Sequence, residues 1–191
     1  MTAETGGSSV EEEENFAALR GFGNRSRIAV AMKTIVGRTG RGNGALEGGD
    51  VLRVGKKIFV GFTARSNPEG IRQLAVIAAT FGYDLTAVPV TGCLHLKSAV
   101  TYLGKNTLLG NRSWFDWKRL FGLDWIDVHP AEPHAANALA INDAIVFPAS
   151  FPQTAALIRE KGFRVELLDI SELQKAESGL TCSSLLFETN Q

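Results

Sequence analysis

The feature that most narrows what this chain can fold into is a pattern that recurs three times after residue 46. Each unit has two short apolar runs around a tight turn, a loop with small or proline residues, a helical stretch and a closing apolar run. In the first unit the runs are 50–54 and 58–62 around GKK (55–57), followed by a helix over about 68–81 and a strand over 85–90. Ser66-Asn67-Pro68-Glu69 reads as a helix start with proline early in the first turn. Ile71, Leu74, Ile77 and Ala78 recur at helical spacing, and Gly82 suits a C-terminal stop. The second unit has 98–103, the GKN turn (104–106), 107–109, a Trp-rich helical stretch near 114–121 and a strand over 125–128. The third has 138–141, the Asn142-Asp143 turn, 144–147, a helix over about 152–161 and a strand over 164–168. A lone strand is expected over 181–188. Three successive ββαβ units built on hairpins argue against a doubly wound sheet and for radial repetition about an axis. The expected fold class is α/β, an incomplete α/β-propeller of ββαβ repeats.

The first 45 residues read differently. Residues 1–14 carry little apolar anchoring and four consecutive glutamates, which predicts disorder. A helix is expected around 28–36, flanked by Arg25, Arg27, Arg38 and Arg41, and RTGRGNG (38–44) reads as a loop. Two regions follow: 1–45, atypical and partly disordered, and 46–191, a partial propeller. Twenty basic and twenty acidic side chains cancel, whereas a bulk nucleic-acid binder would usually carry a basic excess. The polar, acidic start lacks the basic and apolar regions of a targeting peptide. Runs such as 74–79 are far shorter than the ~20 apolar residues that span a bilayer. Two cysteines cannot form a disulfide framework, and a reducing cytoplasm is the expected compartment.

Taken singly, the chemically able residues stay ambiguous. Cys182, in GLTCSSLLF, is either a small buried apolar side chain or a nucleophile at the mouth of a turn. His95, between Leu94 and Leu96, suits a satisfied core histidine as well as a base. Cys93 is close enough in sequence to pair with His95, but that pairing is not privileged. Glu47 and Asp50 flank a Gly-Gly pair before a strand, where the plain reading is a turn satisfying local amides. Arg65 is a loop cation or a carboxylate clamp. His129 and His134 lack the spacing of a helical metal pair, and no metal or organic cofactor is expected. No GxSxG, HExxH, P-loop or CxxC motif is present.

Read together, LEGGDVLRVGKKIFVGFTARSNPEGI (46–71), TGCLHLKSAVTYLG (91–104), HPAEPHAANALAIN (129–142) and SELQKAESGLTCSSLLF (171–187) resemble the dimethylarginine dimethylaminohydrolases. These are guanidine-modifying enzymes of the pentein superfamily, an α/β-propeller fold. The resemblance covers roughly residues 46–188. It implies that Cys182 attacks the guanidinium carbon of a methylated arginine and that His95 serves as acid and then base. It further implies that Glu47 orients the histidine, that Arg65 binds the substrate carboxylate, and that the Ala176 carbonyl meets the substrate amine. Asp50 and Asn137 match the family motifs and read as structural.

Two departures accompany the likeness. Residues 1–45 contain no match to the acidic FVED-like segment with which the family grips the guanidinium. Burying that cation without carboxylates costs several kcal/mol. The family's PSRR-like stretch has only Arg25-Ser26-Arg27 as a counterpart. The alternatives are therefore a catalytically impaired binding or oligomerising fragment, or another guanidine chemistry such as arginine deimination or amidino transfer. An unclosed propeller exposes sheet and helix faces, so either self-association into a homo-oligomer or low stability is expected.

Overall fold

The three recurring units fold as three separate three-stranded sheets with one shared plan. The computed structural model describes residues 43–181 and Ser184. The expected disorder over 1–14, the helix near 28–36 and nearly all of the strand over 181–188 lie outside the described residues. In the first unit, β1 (Val51–Val54) pairs antiparallel with β2 (Lys57–Phe62), helix α1 (Pro68–Thr80) follows, and β3 (Asp84–Pro89) returns parallel to β2. A short helix, α2 (Leu96–Ala99), leads into β4 (Val100–Gly104) and β5 (Thr107–Gly110), with β6 (Asp124–Asp127) parallel to β5. The third unit repeats the order with β7 (Leu139–Ile141), β8 (Ala144–Pro148), α3 (Pro152–Glu160) and β9 (Arg164–Leu168), and α4 (Ser171–Lys175) follows. The first strands neighbour one another, β1 beside β4 and β4 beside β7, so each unit turns its leading strand to a common axis.

Strand alternation explains how the sheets stack. Val51, Ile58 and Val60 face α1, meeting Ile71, Leu74 and Ala78. Their neighbours Leu52 and Phe59 point the other way, into a core shared with Val100 and Leu108 of the next unit. Leu109 and Ile126 in turn pack with Ile145, Phe147 and Ile158 of the third. Each residue step flips the side chain to the opposite face, so one apolar run serves two cores. Helix α1 begins as its sequence predicts: Pro68 opens it, and the Asn67 side chain accepts from the Gly70 amide at 2.9 Å.

One expectation is corrected. The stretch 114–121 forms no α-helix but two short 3-10 turns, Arg112–Trp114 and Trp117–Arg119. Between them Phe115 is fully extended and bridges Val90. The Trp114 carbonyl accepts from Thr91 and Gly92, and the Asp116 amide donates to Pro89. Pairing with the end of β3 takes the backbone groups a helix would use, and Phe115 and Leu120 are buried as a result. Among the described residues, no helix is long and apolar enough to cross a membrane.

Candidate active site

Residues Gly48–Asp50 form a single 3-10 turn before β1, and Glu47 precedes it in extended geometry. His95 precedes α2 in similar extended geometry. The two meet across 48 positions of sequence, with His95 Nε2 at 2.5 Å from Glu47 Oε2. Gly49 makes this approach feasible, because a Cβ there would lie 2.7 Å from the imidazole Cγ. The imidazole is 16% exposed and the Glu47 side chain 38%, so the pair sits at a surface that solvent and a small molecule can reach. Arg65 Nη1 lies 3.5 Å from the other oxygen of Glu47 and is half exposed. Such an exposed pair contributes at most about 1 kcal/mol, so the guanidinium can leave it for another carboxylate at little cost.

Behind this trio sits Asp50, fully buried. Its Oδ1 accepts from the Leu96 amide at 2.9 Å. Its Oδ2 accepts from the Ser66 hydroxyl at 2.7 Å and the Thr63 hydroxyl at 2.8 Å. The plain reading of Asp50 as a local turn former is thus incomplete, since its partners come from the loop after β2 and the start of α2. Sequence reasoning missed Thr63 and Ser66 as site-supporting residues. Ser66 was legible only as part of a helix start, and the residue that caps α1 is Asn67.

Cys182 lies outside the described residues. The chain leading to it is described through Thr181, and Asn137 holds that segment. The Asn137 amide nitrogen donates to Thr181 Oγ1 at 2.8 Å and to the Lys97 carbonyl at 3.0 Å. Its oxygen accepts from the Thr181 amide at 3.2 Å. Gly179 packs so closely that a Cβ there would lie 2.7 Å from the same oxygen. The residue before Cys182 is therefore tied to a carbonyl two residues beyond His95. Ala176 ends α4, its amide donating to Leu173 at 3.0 Å.

Cys93 is a different kind of thiol. Its Sγ donates to the His95 carbonyl at 3.1 Å, a backbone group rather than the imidazole. Burial pushes the thiol up to about 11, the bond to the His95 carbonyl only partly offsetting this and the nearby Asp50 charge adding to it. A thiol shifted in this direction stays protonated at neutral pH, which makes it a poor nucleophile. The other histidines are occupied locally: His134 packs against Trp114 with ring centroids 4.9 Å apart and the rings tilted by 58°, and His129 Nδ1 accepts from the Ala131 amide. Among the described residues, no three His, Cys, Asp or Glu side chains are grouped to hold a metal ion.

A cavity of about 300 Å³ runs along the axis, lined by Leu52 and Arg53 of β1, Tyr102 of β4, Leu139 of β7, and by Lys97 and Thr181. A roomier one of about 550 Å³ lies around Asn111, Arg112, Trp117 and Asp127 and shares no lining residue with the His95–Glu47 pair. Arg112 there is held by both oxygens of Asp127 and lies over the Trp117 ring, so its charge is already engaged. Neither cavity is lined by His95, Glu47 or Arg65, which meet where the turn before β1 faces the start of α2.

No family model matches the chain. It is 34% identical over 144 residues to the N(G),N(G)-dimethylarginine dimethylaminohydrolase of Pseudomonas aeruginosa, covering 75% of the chain and 57% of that protein. It is 39% identical over 142 residues to the protein of the same name from Streptomyces coelicolor, covering 74% and 54%. The chain thus spans little more than half the length of these curated relatives. Among solved structures, a cysteine-to-serine mutant of the Pseudomonas aeruginosa enzyme complexed with citrulline superposes with a TM-score of 0.68 at 32% identity, covering 74% of this chain and 56% of that one.

Proposed function

We propose that the chain belongs to the dimethylarginine dimethylaminohydrolase family, as its likeness to two such enzymes supports, and that it carries the catalytic part of a hydrolase converting Nω-methylated arginine to citrulline. The observation that carries this reading is the 2.5 Å contact between His95 and Glu47, with Arg65 on the second carboxylate oxygen. The pair gives an imidazole held in one orientation against a carboxylate, the arrangement an acid–base group needs. We read 46–191 as the catalytic unit, 1–45 as a region outside it, and the substrate as a small guanidine.

The chemistry runs in two halves. The Cys182 thiolate forms a bond to the guanidinium carbon, and the substrate's own positive charge favours the thiolate. His95 gives a proton to the methylated nitrogen, the carbon–nitrogen bond breaks, and methylamine or dimethylamine leaves. An S-alkylthiouronium remains on Cys182. His95 then takes a proton from water, whose oxygen bonds to the same carbon. The carbon–sulfur bond breaks, returning the electron pair to sulfur, the remaining hydroxyl proton passes to solvent, and the ureido group of citrulline is released. Arg65 exchanges Glu47 for the substrate α-carboxylate, and the Ala176 carbonyl accepts from the α-amine. A reducing cytoplasm would keep the Cys182 thiol free.

A second reading is favoured by the third sheet. Its face away from α3 carries Leu139, Ile141, Ala144 and Val146, all only half-buried. A likeness that reaches only 57% and 54% of two relatives, together with such a face, suits a fragment that self-associates or needs further chain to bind the guanidinium. Incubation with asymmetric dimethylarginine, with arginine as a parallel substrate, separates the readings. Citrulline and dimethylamine from the parent chain, absent with Cys182→Ser, support the hydrolase. A folded parent that releases neither product sinks it for this chain. Citrulline and ammonia from arginine alone would instead identify a deiminase.

A further inference from the structure

We infer that Asp50 is a positioning residue that sets the geometry of Glu47, Arg65 and His95 together through three separate hydrogen-bonded arms. The inference rests on the reading of Glu47 and His95 as the acid–base pair, but its physical core is the wiring around one buried carboxylate. The first arm runs from Asp50 Oδ2 to the Ser66 hydroxyl, which in turn accepts from the Glu47 amide at 3.0 Å. The second runs from the same oxygen to the Thr63 hydroxyl, which accepts from the amides of Arg65 at 3.0 Å and Ser66 at 3.2 Å. The third runs from Oδ1 to the Leu96 amide, the residue bonded to His95. The turn before β1, the loop after β2 and the start of α2 therefore share one anchor.

The donor count explains why the anchor is a carboxylate. Thr63 Oγ1 accepts from two backbone amides and Ser66 Oγ from one, and each hydroxyl gives its proton to the carboxylate. An ionised aspartate accepts at both oxygens and donates nothing, and thus meets two hydroxyls and an amide at once. An asparagine placed there would have to turn an NH2 toward one side of the network. That leaves either the two hydroxyls or the Leu96 amide facing a donor. Space is matched to the same end: a Cβ on Gly61 would lie 2.6 Å from Asp50 Oδ1 and 2.9 Å from the Leu96 Cβ. Glycine in β2 lets the aspartate and α2 close on the strand.

A residue that only stabilised the fold would not control the histidine once the protein is folded, which gives the test. The full chain and Asp50→Asn are labelled with 15N at the histidine rings. Their ring-nitrogen shifts are recorded with the backbone amide spectrum as a control for folding. His129 and His134 contact none of the three arms and act as internal standards. The expected result is a folded variant in which the His95 Nε2 signal leaves its parental position while the other two histidines stay put. Citrulline formation is expected to fall about a hundredfold, mainly in kcat, the scale for misplacing catalytic groups by about an ångström. A folded Asp50→Asn with the His95 signal unmoved overturns the inference. If Asp50→Asn does not fold, Ser66→Ala removes the Glu47 arm alone, with the same His95 shift expected and an unmoved signal again fatal. A parent chain that makes no citrulline defeats the hydrolase reading, while the ring-nitrogen comparison still decides the role of Asp50.

Discussion

The first and third units share a strand order, a two-residue hairpin loop and a helix opened by proline, yet their connections from second strand to helix are built from opposite materials. In the first, residues 63–67 supply Thr63, Ser66 and the capping Asn67, and the loop serves a buried carboxylate. In the third, residues 149–151 end in Phe151, whose ring lies 6.4 Å from Phe147, and no side chain at that position caps α3. The cap arrives from elsewhere: Glu132, buried in the loop before β7, accepts from the amides of Gln153 at 3.0 Å and Thr154 at 2.7 Å. Both units thus bury a carboxylate at this end of the sheet. One is wired to groups that face solvent, the other only to the helix it stabilises. The apolar repeat makes the scaffold, and the direction of a few polar side chains decides which copy gathers Glu47, Arg65 and His95.

That contrast is most sharply tested by removing one carboxylate from each unit. Glu47→Gln keeps the shape but takes away the charge that orients and supports the imidazole. Citrulline formation should fall by roughly 10²- to 10⁴-fold, the range for losing acid–base assistance, with little change in the thermal midpoint. A Glu47→Gln enzyme with parental turnover would remove Glu47 from the mechanism. Next in size is Phe147→Ala in the third unit. Phe147 is fully buried in the core that joins the second and third sheets, and its truncation should cost about 3–5 kcal/mol in denaturant unfolding. A loss under 1 kcal/mol would mean that this core is not what holds the third unit to the second.

How far the sequence foretells all this depends on the range of the interaction. The hairpins and helices were legible because alternation and helical spacing are local, and 50–54 with 58–62 shows both faces of the first sheet in ten residues. The stretch 114–121 misled for the complementary reason: Phe115 is held extended by Val90, a partner that no local window contains. The site follows the same rule. Glu47 and His95 each stay ambiguous alone because they are 48 residues apart, and only the resemblance joined them before the fold did. Asp50 was read as structural because its partners at 63, 66 and 96 are invisible to spacing. Glu132 carried no signal at all, since it caps a helix 21 residues onward.

Glu132 provides the third test, the mirror image of Glu47. Burial works to raise its pKa, but hydrogen bonds from the Thr154 hydroxyl and from the amides of Gln153 and Thr154 outweigh it and hold the carboxyl below its ordinary value. A carboxyl whose pKa is lower folded than unfolded adds stability that is fully present above the unfolded value, about 4.3. It is lost as pH falls through the folded value. Glu132→Gln should therefore destabilise the fold by about 1–3 kcal/mol at neutral pH, converge on the parent in acid, and leave turnover of the folded protein unchanged. A pH-independent difference would show that the charge of Glu132 is immaterial and only its shape matters.

The smallest effect belongs to the hairpin loops, where the two units should be equivalent. Gly55 turns the first hairpin at φ 57°, and Asn142 turns the third at φ 52°. Both lie in the left-handed region, which glycine enters freely and asparagine tolerates, while a side chain with a Cβ and no local hydrogen bond does not. Asn142→Gly should change stability by no more than about 0.5 kcal/mol, the relief of the left-handed angle offsetting the added freedom of the unfolded chain. Asn142→Ala, which keeps the Cβ and loses the amide, should cost about 1 kcal/mol. If alanine were as good as glycine at 142, the third hairpin would owe its turn to the pairing of β7 with β8 rather than to the loop residue. The likeness between the two units would then lie in their strands alone.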